Sequence, residues 1–122
     1  MSVVKSRIAV GLFVPCSNLK MASHFEITLN GHSYTGMNTA IGADTGAVVT
    51  VDFPCGKAKI DGASSILWID DDGFNKGLPI NERLSLMTGL PIFGDAVWIG
   101  YNRDDGDIES LPSALYDEFL GA

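Results

Sequence analysis

Side chains that carry chemistry are scarce in this chain. Two cysteines and two histidines stand among 122 residues, too few for a disulfide framework. Cys16, His24, His32 and Cys55 are separated by 8, 8 and 23 positions with no Cys-x-x-Cys pair, which matches no common zinc-ligand spacing. The cysteines read as free, inert thiols of a cytoplasmic protein. There is no Gly-x-Ser-x-Gly elbow to single out a nucleophile. Residues 36–46 lack both the Lys-Ser/Thr ending and the following long helix of a phosphate loop. The expectation is a protein that is not an enzyme, with no catalytic, cofactor-binding or metal-ligating residues.

Long hydrophobic runs are also missing. Residues 8–14 follow Lys5 and Arg7 in the outline of a signal peptide, but the run is seven residues long, interrupted by Gly11 and closed by Pro15. That is far short of a membrane span, and no membrane association is expected. A buried strand over 7–14 is the better account. Met21-Ala22-Ser23 looks like an alternative start, so residues 1–20 read as an extension to an older core.

Positive charge is the third scarcity. Eight Lys and Arg face fifteen Asp and Glu, for a formal charge of −7. The first sixty residues carry five cations and three anions, the remainder three cations and twelve anions. A surface that acidic repels phosphate backbones, which argues against direct nucleic-acid binding. It suits solubility, a basic protein partner or mimicry of a polyanion.

What is present is a turn-rich, apolar chain with fourteen glycines and five prolines, enough for one domain with a modest core. Phe25, Ile27 and Leu29 alternate with polar residues, the period of a half-buried strand. Asn30-Gly31 then suits a type I′ turn, with Ser33-Tyr34-Thr35 returning antiparallel. One short helical turn fits 36–42, with Met37, Ala40 and Ile41 on one face. Residues 47–53 form a β-branched strand and 57–60 a short edge strand. Residues 64–69 form a strand with too little alternation for a wet face, placing it near the sheet centre.

Asn81 caps a helix over Glu82–Thr88 that Gly89 ends, with Leu84, Leu86 and Met87 as its apolar stripe. Residues 95–101 make another strand, and Leu111-Pro112 opens a final helix. The predicted fold is α+β: a mainly antiparallel sheet of five to seven strands with two or three short helices packed on one face. The chain is read as one domain, with residues 1–24 as extension and first strand, 25–63 as hairpin and strands, and 64–122 as a strand–turn–helix–strand–helix core.

The acidic turn Asp70-Asp71-Asp72-Gly73 invites a calcium reading, but the register fails. An EF-hand loop needs an oxygen ligand at position 5 and Gly at 6, whereas counting from Asp70 places Phe74 and Asn75 there. Counting from Asn102 places Gly106 at position 5. Both segments read as solvated turns. Trp68 and Trp98 sit in the two best strands as core residues, while Phe74 and Tyr101, next to turns, suit exposed aromatic anchors.

At Leu67-Trp-Ile-Asp-Asp-Asp-Gly73, Lys76-Gly-Leu-Pro-Ile-Asn81, Pro91-Ile-Phe-Gly-Asp-Ala-Val97 and the late Ser110-Leu111-Pro112-Ser113, the chain resembles a family of small domains without an assigned activity. These occur in bacteriophages, especially those of actinobacteria, and in plasmids and other mobile elements. The resemblance covers residues 64–119 and, loosely, 37–53; residues 1–24 lie outside it. It transfers no catalytic residue. It implies a small phage accessory protein that binds a host or phage protein in the host cytoplasm, in takeover or counter-defence. The alternatives are a virion or homo-oligomeric structural protein, and a small-ligand binder or enzyme. The candidate partner-contact residues are Asp70, Asp71, Asp72, Phe74, Asn75, Lys76, Asn81 and Tyr101.

Overall fold

A computed structural model describes residues 7–17, 19–29, 33–52, 64–101 and 108–111. Within them run β1 (Arg7–Val14), β2 (Ser23–Leu29), α1 (Ser33–Ile41), β3 (Gly46–Asp52), β4 (Ser64–Asp70), α2 (Glu82–Thr88), β5 (Ala96–Tyr101) and β6 (Ile108–Glu109). The strands form one antiparallel sheet in the order β2-β1-β5-β4-β3, with β6 beside β5. This is the expected α+β class.

The period of two along each strand sorts its side chains to opposite faces. On one face, Leu12, Val14, Leu67, Ala96 and Trp98 pack with Leu84 of α2 and with Ile92. On the other, Ala9, Ile27, Ile66, Trp68, Val97 and Ile99 pack with Met37 and Ile41 of α1. The helices therefore cover opposite faces, which corrects the expectation of helices on one face. The buried runs of β4 and β5 require it, since a strand apolar on both sides must be covered on both.

Both tryptophans are core residues, and each indole N–H is satisfied. Trp98 donates to Ser65 Oγ at 2.7 Å, and that hydroxyl donates on to the Val51 carbonyl at 2.9 Å. Trp68 donates to Asn38 Oδ1 of α1 at 2.7 Å, fastening the helix to the sheet. The Trp68 indole lies across Gly46, where a Cβ would collide with the ring.

A further expectation changes. Residues 33–35 begin α1 rather than return as a strand; β2 takes β1 as its hairpin partner over the full register from Arg7↔Leu29 to Phe13↔Ser23. The Asn30-Gly31 turn itself, the 57–60 strand and the helix after Leu111 lie outside the described residues. Strand β1 forms over Arg7–Val14 as expected and is an inner strand, flanked by β2 and β5 and carrying the fully buried Leu12 and Val14. Its pairing with β5 covers Leu12 to Val14 and does not extend to the residues before Leu12. There β6 takes over the edge of β5, Leu111 N donates to Val10 O at 2.9 Å, and Ser110 Oγ accepts from Val10 N at 2.9 Å.

Candidate interaction surface

Asp70 ends β4 beside Gly46 at the start of β3, and its carboxylate organises the turn that follows. Oδ1 accepts from the Asp72 N–H at 2.9 Å, and Oδ2 takes the Lys76 ammonium at 2.8 Å. The Asp70 carbonyl accepts from Gly73 N, Asp72 O from Lys76 N, and Gly73 O from Leu78 N. Asn75 donates to Asp72 Oδ1 at 2.7 Å, and Asp71 N reaches across to Thr45 O at 3.1 Å. Gly77 supplies the left-handed φ of 71° that closes the loop. Backbone and side-chain bonds thus commit Asp70 and Asp72 to shaping the turn.

Burial alone would push the Asp70 pKa up. The Lys76 hydrogen bond, the Asp72 N–H and the Lys76 charge outweigh it and hold the carboxyl below its ordinary value. In return the Asp70 hydrogen bond raises the Lys76 pKa, with the charges of Asp70, Asp44 and Asp72 adding to it. One ammonium thus sits among several carboxylates, and Asp44, Asp71 and Asp72 are exposed.

The turn holds Phe74 outward, 75% exposed. Its ring meets Phe93 edge-on, with centroids 5.5 Å apart and planes at 64°. Phe93 in turn pairs with Ile80 through an isolated antiparallel bridge, so their side chains lie together on one side. Phe74, Phe93 and Ile80 make an apolar step beside the acidic turn.

Asn81 is not on this surface. Its side chain is fully buried, with Oδ1 accepting from Leu84 N at 3.3 Å and Nδ2 donating to Val14 O and Gly94 O, each at 3.1 Å. It caps α2 and ties the end of β1 to the bend at Gly94 that precedes β5, which takes it off the contact set. Tyr101 is half-buried in the α1-side core at the opposite end of the sheet. The structure brings together Asp70, Asp71, Asp72, Phe74, Asn75 and Lys76, and separates Asn81 and Tyr101 from them.

Sequence reasoning missed the apolar neighbours. Leu86 was counted in the α2 stripe, yet it is 86% exposed, because a residue two positions from the buried Leu84 faces away from it. Leu19 is 97% exposed in the β1–β2 connection, with Met21 also exposed. Arg83 of α2 donates to the Pro15 and Ser17 carbonyls at 2.5 and 3.1 Å, which sets α2 against that connection. Among the described residues, six of the eight large exposed hydrophobics (Leu19, Met21, Phe74, Ile80, Leu86 and Leu90) fall in the β1–β2 and β4–β5 connections, which leave the sheet at the end where β1 and β4 finish; Ile8 and Val48 lie in strands.

Cys16 lies at the same end, its N–H donating to Asp95 Oδ1 at 2.9 Å. Burial, the hydrogen bond to Asp95 and the Asp95 charge push its thiol pKa up, the reverse of what a nucleophile needs. Among the described residues, no three His, Cys, Asp or Glu side chains group as metal ligands, and no helix is long and apolar enough to cross a membrane.

No protein-family model matches the chain, and no curated protein sequence does. Among solved structures, the fold is similar to part of the crystal structure of small RNA methyltransferase HEN1, with a TM-score of 0.64 and 18% identity over 89% of this chain. The match spans only 15% of that chain, and at this identity it shows a shared fold alone.

Proposed function

We propose that this protein works as a binding module for another protein, in the setting that the phage and mobile-element resemblance of residues 64–119 suggests: a small accessory protein acting on a host protein in the host cytoplasm. The observation that carries the reading is that, among the described residues, six large exposed hydrophobics fall in the two connections that leave one end of the sheet. Scattered single hydrophobics are ordinary on a protein surface, whereas a concentration of them is characteristic of an interface. The small RNA methyltransferase similarity does not add RNA as a ligand here, since the formal charge of −7 opposes a phosphate backbone.

Affinity capture from host lysate, followed by reconstitution with the purified captured protein, tests the reading. A defined complex in sedimentation velocity supports it. Repeated capture of nothing specific, or recovery of the protein solely as a homo-oligomer or in virions, overturns it.

A further inference from the structure

We infer that the step formed by Phe74, Phe93 and Ile80 is the docking point, and that its occupant is a cationic segment of a partner protein bearing an aromatic or aliphatic anchor side chain. This rests on the protein-binding reading above and narrows it to one site and one partner chemistry.

Phe74 sits in the 71–77 turn. A phenylalanine 75% exposed at a turn tip is costly to hydrate, yet the turn beneath it is fully tied by hydrogen bonds and an ion pair. The backbone that carries the ring is thus set in advance of binding, so little backbone conformational entropy remains to be lost when the ring is covered. Phe93 and Ile80 extend the apolar surface to one side, enough to receive an anchor side chain rather than merely touch one.

Charge selects the occupant. Asp71 and Asp72 are exposed in the turn that carries Phe74, Asp44 is exposed next to Thr45, whose carbonyl accepts from Asp71 N, and Lys76, the cation of this turn, is already engaged by Asp70. The rim is therefore net negative, and a cationic partner gains both steering and rim contacts. A second copy meeting this face in a two-fold arrangement would set the same carboxylates against one another. An acidic segment meets the same repulsion.

The test uses the full chain and synthetic capped peptides in which one Trp, Phe or Leu is flanked by Lys and Arg, alongside charge-reversed peptides with Glu in their place. Backbone amide shifts are followed by NMR and affinities by fluorescence anisotropy. Basic peptides are expected to shift residues 71–75, Ile80 and Phe93, and to bind at least about tenfold more tightly than the Glu series. Phe74→Ser should weaken them by about tenfold or more, as loss of a central aromatic anchor does. D44K combined with D71K should weaken them to a similar degree, and the wild-type interaction should fall with added salt.

Phe74→Ser removes a mostly exposed ring, so an unchanged urea midpoint shows that the loss is one of binding. Equal affinity for both peptide series, shifts confined elsewhere, or no binding by any peptide overturns the inference. So does a dimer that Phe74→Ser dissolves. A captured partner that binds Phe74→Ser as tightly as wild type overturns this site while leaving the protein-binding reading standing; failure to capture any partner strikes that reading itself.

Discussion

Replacing Asn81 by alanine removes three hydrogen bonds at once from a fully buried position. Leu84 N loses its cap acceptor, and the Val14 and Gly94 carbonyls lose their donor. Loss of an N-cap costs about 1 kcal/mol, and each buried carbonyl left without a donor costs about 1 kcal/mol at the low end. The sum is about 3 kcal/mol, a large part of the roughly 5–15 kcal/mol that holds a domain together. With an m-value of roughly 1.5 kcal/mol/M, the urea midpoint should fall by about 2 M with m unchanged.

Asn81→Asp separates the parts of this argument. It keeps the cap acceptor and suits a helix N-terminus, but it turns a donor into a buried carboxylate oxygen facing two carbonyls. If the tie between β1 and the bend at Gly94 matters as much as the cap, the aspartate variant is no more stable than the alanine variant. A fall of less than 0.5 M for Asn81→Ala (about 0.75 kcal/mol at the same slope), or an aspartate variant clearly more stable than the alanine one, refutes the reasoning.

Three further outcomes follow from the same geometry. Because the folded-state pKa of Asp70 is depressed, its stabilisation is present above the unfolded aspartate value of about 4 and is lost as pH falls through the lower folded value; Asp70→Asn should flatten the urea midpoint across that acidic window, and an unaltered acid profile contradicts the assignment. The Cys16 thiol, raised by burial and by Asp95, should react with a disulfide reagent more slowly at pH 8 than a free peptide thiol, and Asp95→Asn should speed it; a faster wild-type rate goes against this. A chain beginning at Met21 lacks β1, and with it the buried Ala9, Leu12 and Val14 and the partner of β2. It should show no dispersed amide spectrum, and a dispersed, cooperative fold would restore the view of residues 1–20 as a dispensable extension.

The parts of the fold that local chemistry determines were readable in the sequence. Asn81, Glu82 and Gly89 carry their capping roles in their side chains and backbone preferences, and α2 runs between them as expected, with Gly89 at a φ of 73°. Strand β1 was readable from its apolar run and bounding Pro15. The apparent hairpin at Asn30-Gly31 misled because a two-residue turn preference cannot weigh the alternatives available to the chain. The stripe of Met37, Ala40 and Ile41, with Asn38 bonded to Trp68, instead sets that segment as a helix on the sheet.

A one-sided helix layer does not suit the buried runs of β4 and β5. A strand without a wet face implies cover on both sides, and β4 has it. At the candidate surface, Phe74 was readable as an aromatic next to a turn. Its contact with Phe93 and the pairing of Phe93 with Ile80 depend on how residues 78–80 return beside 93–94, which no local pattern reports. Nor could spacing show that Asn81 reaches a carbonyl 67 residues away.

Hydrogen–deuterium exchange of the full chain, alone and with a captured and purified partner, tests the central claim most directly. Added protection is expected in residues 71–80 and 90–93, at the end of the sheet that carries Phe74, with strands β4 and β5 unchanged. Protection confined to β2 or to the Tyr101 end, with residues 71–80 exchanging as in the free protein, would contradict it.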